Sequence, residues 1–566
     1  MSRIMRLHTL SLGWLLLSVV HPSLAKDLDL NVVSQIKDQA FNHSQVMDYV
    51  SYLSDVNGPR LAASPQYLQA ANWAVLTLKD MGIHDTRLES IGEFGRSWSW
   101  SNISVHMLTP QPTSLVAVPL AWSAGTQGDV QAQVVYAPLW EGADDPAQQN
   151  LLKLAQRIEA YKQQYLGTLR GKVVLLNAER PFSLPFEAEV QRWSDGDLQD
   201  MQSARDPLVD DLYAWPLLDY PGDAAKQLLM LEIVPSEIQA DYSERYQKLM
   251  QRLIDFFLQE GVAGVMQTNQ EGNGGVIFAE AFGSFDPRDN IAPPAMQMMP
   301  EHYNRLVRLV ERDMPVSVKF NIAAQFPNEH AQGNNVIADL PGQNKKNQVV
   351  MLGAHLDSWH TGTGATDNGA GVAIVMEAMR ILKTLDLKLD RTVRLGLWDA
   401  EEVGHYGSRR YVKKHLGDPV AMQLRPAHEH FSVYFNIDTG SGKTRGILTQ
   451  GNDMAKPIFD QAMQPFHEHG IATIVPRNDW GTDHQAFDAV GLPAFNLLQD
   501  QLDYWSHTHH ANVDTLDHIV PEDLMVSAAF LATLAYQAAI ADSLMPREPL
   551  PRALPTPSPL PAILRD

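Results

Sequence analysis

From Asn334 onward, short apolar runs alternate with amphipathic stretches. This alternation constrains the fold more than any other feature of the chain. "QVVMLGAHLDS" (348–358), "RTVRLGLWDAEE" (391–402), "FSVYFNIDTG" (431–440) and "LPAFNLL" (492–498) have the length and composition of buried strands. "GAGVAIVMEAMRILKTL" (369–385) sets Val372, Val375, Met376 and Met379 on one helical face, and a second helix is predicted from about 522 to 542. Strands alternating with helices predict an α/β fold: a mixed, mainly parallel sheet sandwiched by helices.

Ligand sites in open α/β sheets form beyond the carboxyl ends of the strands. Here those ends are polar. The first run ends at His355 and Asp357, and the loop after it brings Asp367 to a helix start. The next run ends at Glu401 and Glu402, and another ends at Asp438. Late in the chain "SHTHHANVDTLD" adds His507, His509, His510 and Asp514. Adjacent buried carboxylates are costly unless a basic side chain, a metal or water neutralises them. Carboxylates and imidazoles converging from separate elements favour a nitrogen/oxygen divalent-metal site. So many donors predict two metals a few ångströms apart. One of the paired glutamates then ligates, and the other serves as general base on a bound water.

Other templates are missing. "HEHFS" and "HEHGI" lack HExxH spacing, and there is no GxSxG elbow or Walker loop. The absence of cysteine excludes a thiol nucleophile, a disulfide framework and a cysteine zinc site. A net charge of −22 argues against nucleic acid and anionic lipid as partners. Arg3, Arg6, the apolar run Leu10–Val20 and Ser23-Leu24-Ala25 read as a signal peptide over 1–25. Secretion or a bacterial periplasm is therefore expected, with no membrane contact once the signal is removed.

The motifs "GAHLDS", "GATDNGAG", "WDAEEVGHYGS", "NIDTG" and "HHANVDT", in this order, resemble the co-catalytic di-zinc aminopeptidase family. "HLDSW", "GTDHQAF" and the histidine cluster are similar to its plasma glutamate carboxypeptidase branch. The resemblance implies a catalytic unit split between 26–118 and 330–545. It also implies a protease-associated-type, β-rich insertion over 119–329. Within that insertion, about 185–245 reads as an acidic, helical surface insert, and 546–566 as a proline-rich tail, disordered or extended.

Carried over residue by residue, the resemblance implies two Zn2+ per chain. His355 would bind one metal, Asp367 bridge both, Glu402 and Asp438 ligate, and His510 complete the set. Glu401 would be the general base and Asp357 the residue that orients His355. His507 and His509 are read as substrate-facing, supporting or surface residues, and Asp483 and His484 as lining or bracing the pocket. Trp359, Trp480 and Trp505 form either an aromatic pocket or core. Some relatives place a tyrosine shortly before the "DH" pair, but "RNDWGT" has none, which leaves an oxyanion donor unassigned. The expected activity is hydrolysis at the N-terminus of peptides, by an aminopeptidase or dipeptidase. The alternatives are a carboxypeptidase, an inactive receptor on the same scaffold, and a single-zinc acyl transferase of the glutaminyl cyclase type. A homodimer is suggested by the resemblance alone.

Overall fold

The structure is a computed structural model that describes residues 28–565 apart from 143–144, 183, 185, 187, 205–213 and 270–273. The signal-peptide reading of 1–25 lies outside the described residues. Two eight-stranded sheets organise the chain.

The first sheet runs Asp85–Gly95, Ala331–Leu340, Arg391–Trp398, Lys345–His355, Phe431–Asn436, Ala494–Gln499, Thr444–Leu448 and Thr473–Val475. Its four middle strands, from 391–398 to 494–499, are parallel. Antiparallel strands flank them on both sides. Side chains along a strand alternate between faces, and here both faces are covered. Val350, Leu352, Ala354, Val393, Leu395, Val433 and Phe435 enter the larger core, while Met351, Trp398 and Tyr434 point into a smaller one. The larger core is closed by Leu30–Asn42, Pro65–Asp80, Ala370–Thr384 and Pro521–Ile540. Every residue from Ala370 to Leu382 is buried. Pro521–Ile540 is the one helix among the described residues long and apolar enough to cross a membrane, and it lies inside this core. Helix Tyr406–His415 and the turn His484–Asp488 cover the other face. The predicted mixed α/β sandwich is borne out.

The second sheet runs Thr113–Leu115, Ser99–Thr109, Ser317–Gln325, Val130–Trp140, Val173–Asn177, Gly264–Gln267, Ala295–Met298 and Ala117–Pro119. It has its own core, closed by helices Leu151–Tyr165 and Ser236–Glu260. Ser99–Thr109 ladders with Ser317–Gln325, so this unit starts near residue 99 and not at 119. Four of its strands are parallel and carry crossover helices, so it is α/β and not simply β-rich. A junction of Phe94, Trp98, Trp122, Trp359 and Phe285 joins the two units.

The acidic insert is helical as expected but is not a surface appendage. Arg192 pairs with Asp500 (2.8 Å) and Asp523 (2.7 Å) of the first unit. Trp193 Nε1 donates to the Gln499 carbonyl, and Leu198 packs against Val475 and Leu498. The tail is extended, and it is docked rather than disordered. Leu554 N–H donates to Val420 O, Ser558 N–H to Trp215 O, and Leu564 is buried in the core of the second unit.

Candidate active site

The parallel strands of the first sheet deliver their polar ends to one cleft of about 320 Å³. His355 is the last residue of its strand, and Asp438 lies two residues beyond the neighbouring strand. Gly364, at φ +68°, turns the chain ahead of Asp367, and a Cβ there would meet the Ser358 side chain at 2.5 Å. Glu401 and Glu402 follow Arg391–Trp398 on a turn held by left-handed Ala400 (φ 59°) and His405 (φ 56°). Strained backbone of this kind is typical of functional loops.

His355 Nε2 lies 3.2 Å from Asp367 Oδ1 and 3.3 Å from Asp438 Oδ1. His510 Nε2 lies 3.0 Å from Glu402 Oε2 and 3.5 Å from Asp367 Oδ2. Asp367 thus faces both imidazoles. Donor atoms fall within 4.8 Å of one another in three groups: His355/Glu401/Asp438, His355/Asp367/Glu402 and Asp367/His509/His510. The residues singled out in the sequence therefore meet in space.

Asp357 acts differently from the expectation. Its backbone carbonyl is 3.0 Å from His355 Nδ1, whereas its carboxylate is 3.6 Å from that atom. The carboxylate instead accepts from the backbone N–H groups of Glu401 (3.1 Å) and Glu402 (3.3 Å), fixing the glutamate turn. Asp514 does the same for Thr366 and Asp367. Asp483 and His484 are fully buried behind the cleft. Trp480 and Trp505 line the cleft, and Trp359 lines a neighbouring cavity.

Three contacts were not foreseen. His405 Nε2 lies 3.1 Å from Glu401 Oε1, and its spacing four residues after Glu401 was the available signal. Tyr504 is buried at the cleft close to Asp367, although no tyrosine precedes the "DH" pair. Glu280, from the second unit, receives His510 Nδ1 at 2.7 Å. His509 stacks on His510 with ring centroids 3.7 Å apart, and burial pushes its pKa down to about 4. His507 is turned away, 3.2 Å from Glu189.

The electrostatics call for a cation. Burial, followed by repulsion from Asp438, Asp357 and Asp367, pushes the Glu401 carboxyl well above its usual range, and His355 only partly offsets this. Burial and Asp367 push Glu402 up in the same way. Asp367 Oδ2 and Glu402 Oε1 are buried without a hydrogen-bond partner. No lysine or arginine lines the cleft among the described residues. A set of carboxylate oxygens and imidazole nitrogens, two of the oxygens orphaned, fits hard or borderline divalent metals.

Residues 335–535 match Peptidase family M28. The chain is 32% identical over 248 residues to carboxypeptidase Q of Bos taurus, a match covering 44% of this chain and 50% of that protein. It thus spans about half the length of the curated relatives it matches. Among solved structures, a peptidase M28 precursor from Shewanella amazonensis SB2B gives a TM-score of 0.62 at 24% identity, over 92% of this chain and 98% of that one. BSAP, a zinc aminopeptidase from Bacillus subtilis, gives 0.51 at 16% identity, over 88% and 98%. At these identities the likeness to the solved structures is one of fold. The resemblance read from the motifs is borne out by the family match.

Proposed function

We propose that this protein is an exported exopeptidase that holds two Zn2+ ions and removes residues from the N-terminus of peptides, as an aminopeptidase or dipeptidase. The observation that carries this reading is the cleft itself: buried carboxylates and imidazoles face one another, neither lysine nor arginine lines it among the described residues, and the nearby buried Arg60 donates its hydrogen bonds to the carbonyls of Leu53, Leu356, Thr363 and Gly364. His355 and Asp438 would hold one ion, Glu402 and His510 the other, and Asp367 both. Once bound, the metal pair supplies Lewis acidity toward the substrate carbonyl and the attacking water. With that charge in place the carboxylates are held ionised.

Glu401 is assigned as the general base. It takes a proton from water as the new C–O bond forms at the peptide carbonyl. It then returns that proton to the leaving nitrogen as the C–N bond breaks. His405, 3.1 Å from Glu401 Oε1, fixes the carboxylate's rotamer. Asp357 holds the same turn from below through the two backbone amides. Tyr504 places a hydroxyl at the cleft and is assigned as the donor to the developing oxyanion, the role the sequence left open.

The test is product analysis by mass spectrometry on free, N-acetylated and C-amidated peptides, with and without chelator. Chelator-sensitive loss of N-terminal residues, blocked by N-acetylation, is expected. Cleavage confined to the C-terminal residue would instead support the carboxypeptidase reading, which the name of the Bos taurus relative favours. Absence of both metal and cleavage would support the inactive-scaffold reading. Export rests on the signal-like pattern of residues 1–25 and is tested by fractionation of the source cells.

A further inference from the structure

The stretch "NGPRLAASP" (57–65) stands far from every candidate ligand in the sequence, yet it packs against the loop between His355 and Asp367. Arg60 lies 298 positions before Ser358, and the two are joined twice: Arg60 N–H donates to Ser358 Oγ at 3.0 Å, and Ser358 N–H to Arg60 O at 3.1 Å. The Arg60 side chain is fully buried and grips the same loop. Nε donates to Leu356 O (2.7 Å), Nη1 to Thr363 O (3.0 Å) and to Leu53 O (2.9 Å), and Nη2 to Gly364 O (2.8 Å). Leu356 directly follows His355, and Thr363 and Gly364 come shortly before Asp367. One guanidinium therefore ties together both ends of the loop that joins two candidate ligands.

The amides of this loop are held from the other side. Thr363 N–H donates to Asp514 O at 2.8 Å, and the Asp514 carboxylate accepts from the N–H groups of Thr366 (2.6 Å) and Asp367 (3.2 Å). Gly58 lets the clamp come this close: a Cβ there would lie 2.3 Å from the Thr363 carbonyl oxygen and 2.4 Å from that of Ser54.

Burying a full charge is costly, and an apolar side chain would fill the space at lower cost. Burial pulls the Arg60 pKa down to about 10, against the pull of Asp514, Asp357, Asp367 and Glu402, so the group stays protonated at neutral pH. What a guanidinium adds is a rigid planar fork of donors that satisfies several carbonyls in one fixed geometry.

We propose that Arg60 is a positioning residue for the metal pair: by clamping residues 356–364 it sets the distance between His355 and Asp367, and with it the fit of both ions. This rests on the two-ion reading of the cleft.

The test titrates zinc against a chromophoric chelator in the full-length chain and three variants, with circular dichroism checking the fold. Arg60→Lys keeps the charge and loses the fork; Gly58→Ala keeps Arg60 and wedges the loop away. Each should weaken both ions about 10–100-fold. Ser358→Ala removes a single tie and should weaken them about 2–10-fold. Native zinc affinity in a folded Arg60→Lys, or a loss confined to one ion, overturns the proposal, whatever the variant's stability in urea. Should neither Arg60→Lys nor Gly58→Ala fold, Ser358→Ala decides: weaker binding of both ions supports the clamp, and native affinity overturns it. A native chain that binds fewer than two zinc ions overturns the two-ion reading and this inference with it.

Discussion

Each of the two eight-stranded sheets contains four adjacent parallel strands. The difference between them lies just past the carboxyl ends of those strands. In the first sheet these ends carry His355, Glu401, Glu402 and Asp438, with like charges facing one another. In the second, Asn177 is bound by neutral partners: its N–H donates to Tyr303 Oη at 2.8 Å, and its side-chain oxygen accepts from the Thr268 N–H at 3.2 Å. Two acids there have arginine partners, Asp145 with Arg157 and Glu179 with Arg308, whereas Glu301, past the fourth parallel strand, keeps one carboxylate oxygen buried without a hydrogen-bond partner. The same arrangement of strands thus yields a rim where carboxylates and imidazoles converge in one sheet and a rim whose acids are spread out and mostly paired in the other. Function follows the uncompensated charge and not the fold.

The contrast predicts graded responses. Glu401→Gln should lower kcat by about 10²–10⁴-fold, the range of a lost general base. Metal content by mass spectrometry should be unchanged; loss of metal in proportion to activity would make Glu401 a ligand instead. Next in size, Glu280→Ala removes the carboxylate that receives His510 Nδ1. Partners of this kind tune metal affinity, so one of the two ions should bind about 10–100-fold more weakly in chelator competition while the other is unaffected. Equal affinities would leave Glu280 without a positioning role.

Arg192→Ala cuts one tie between the acidic insert and the first unit. Because Asp500 keeps Arg445 at 3.0 Å, a loss of about 1–3 kcal/mol in urea unfolding is expected, with metal content intact. Tyr303→Phe attacks the rim of the second sheet. It should cost about 1–2 kcal/mol of stability and leave kcat unchanged; a fall in kcat would break the contrast.

The smallest effect concerns acid. The His415 hydrogen bond is the main cause that holds Glu89 at about 2, below its ordinary 4.5. A depressed carboxyl stabilises the fold fully above about pH 4.5 and loses that contribution as pH falls toward 2. The Tm difference between the native chain and Glu89→Gln should therefore be constant near neutral pH and shrink below 4.5.

The site residues of the first sheet were legible because an apolar run that ends abruptly in His, Asp or Glu marks a strand edge at which a charge has been placed. His405 was legible in form, being four residues past Glu401, but an isolated histidine on a loop gives no sign of which neighbour it serves. Glu280 gave no sign at all: it sits in "FAEAFG", 230 positions from its partner His510. The boundary near 99 was missed because Ser99–Thr109 is largely polar and becomes a strand by pairing with Ser317–Gln325, over two hundred residues away. The insert and the tail were misjudged for a similar reason. Their anchors, Arg192, Trp193 and Leu564, are single residues whose role depends on distant surfaces.

The larger core places Leu30–Asn42 against Pro521–Ile540, and the second core contains Leu564. Neither can close until the last part of the chain has been made. At about 5–20 residues per second, roughly 25–100 s separate the synthesis of those two helices. Throughout that interval Leu30–Asn42 lacks the cover that Pro521–Ile540 later gives it, and the core stays incomplete. An open chain is the form that a translocation channel can thread, so late closure of the core is compatible with the proposed export.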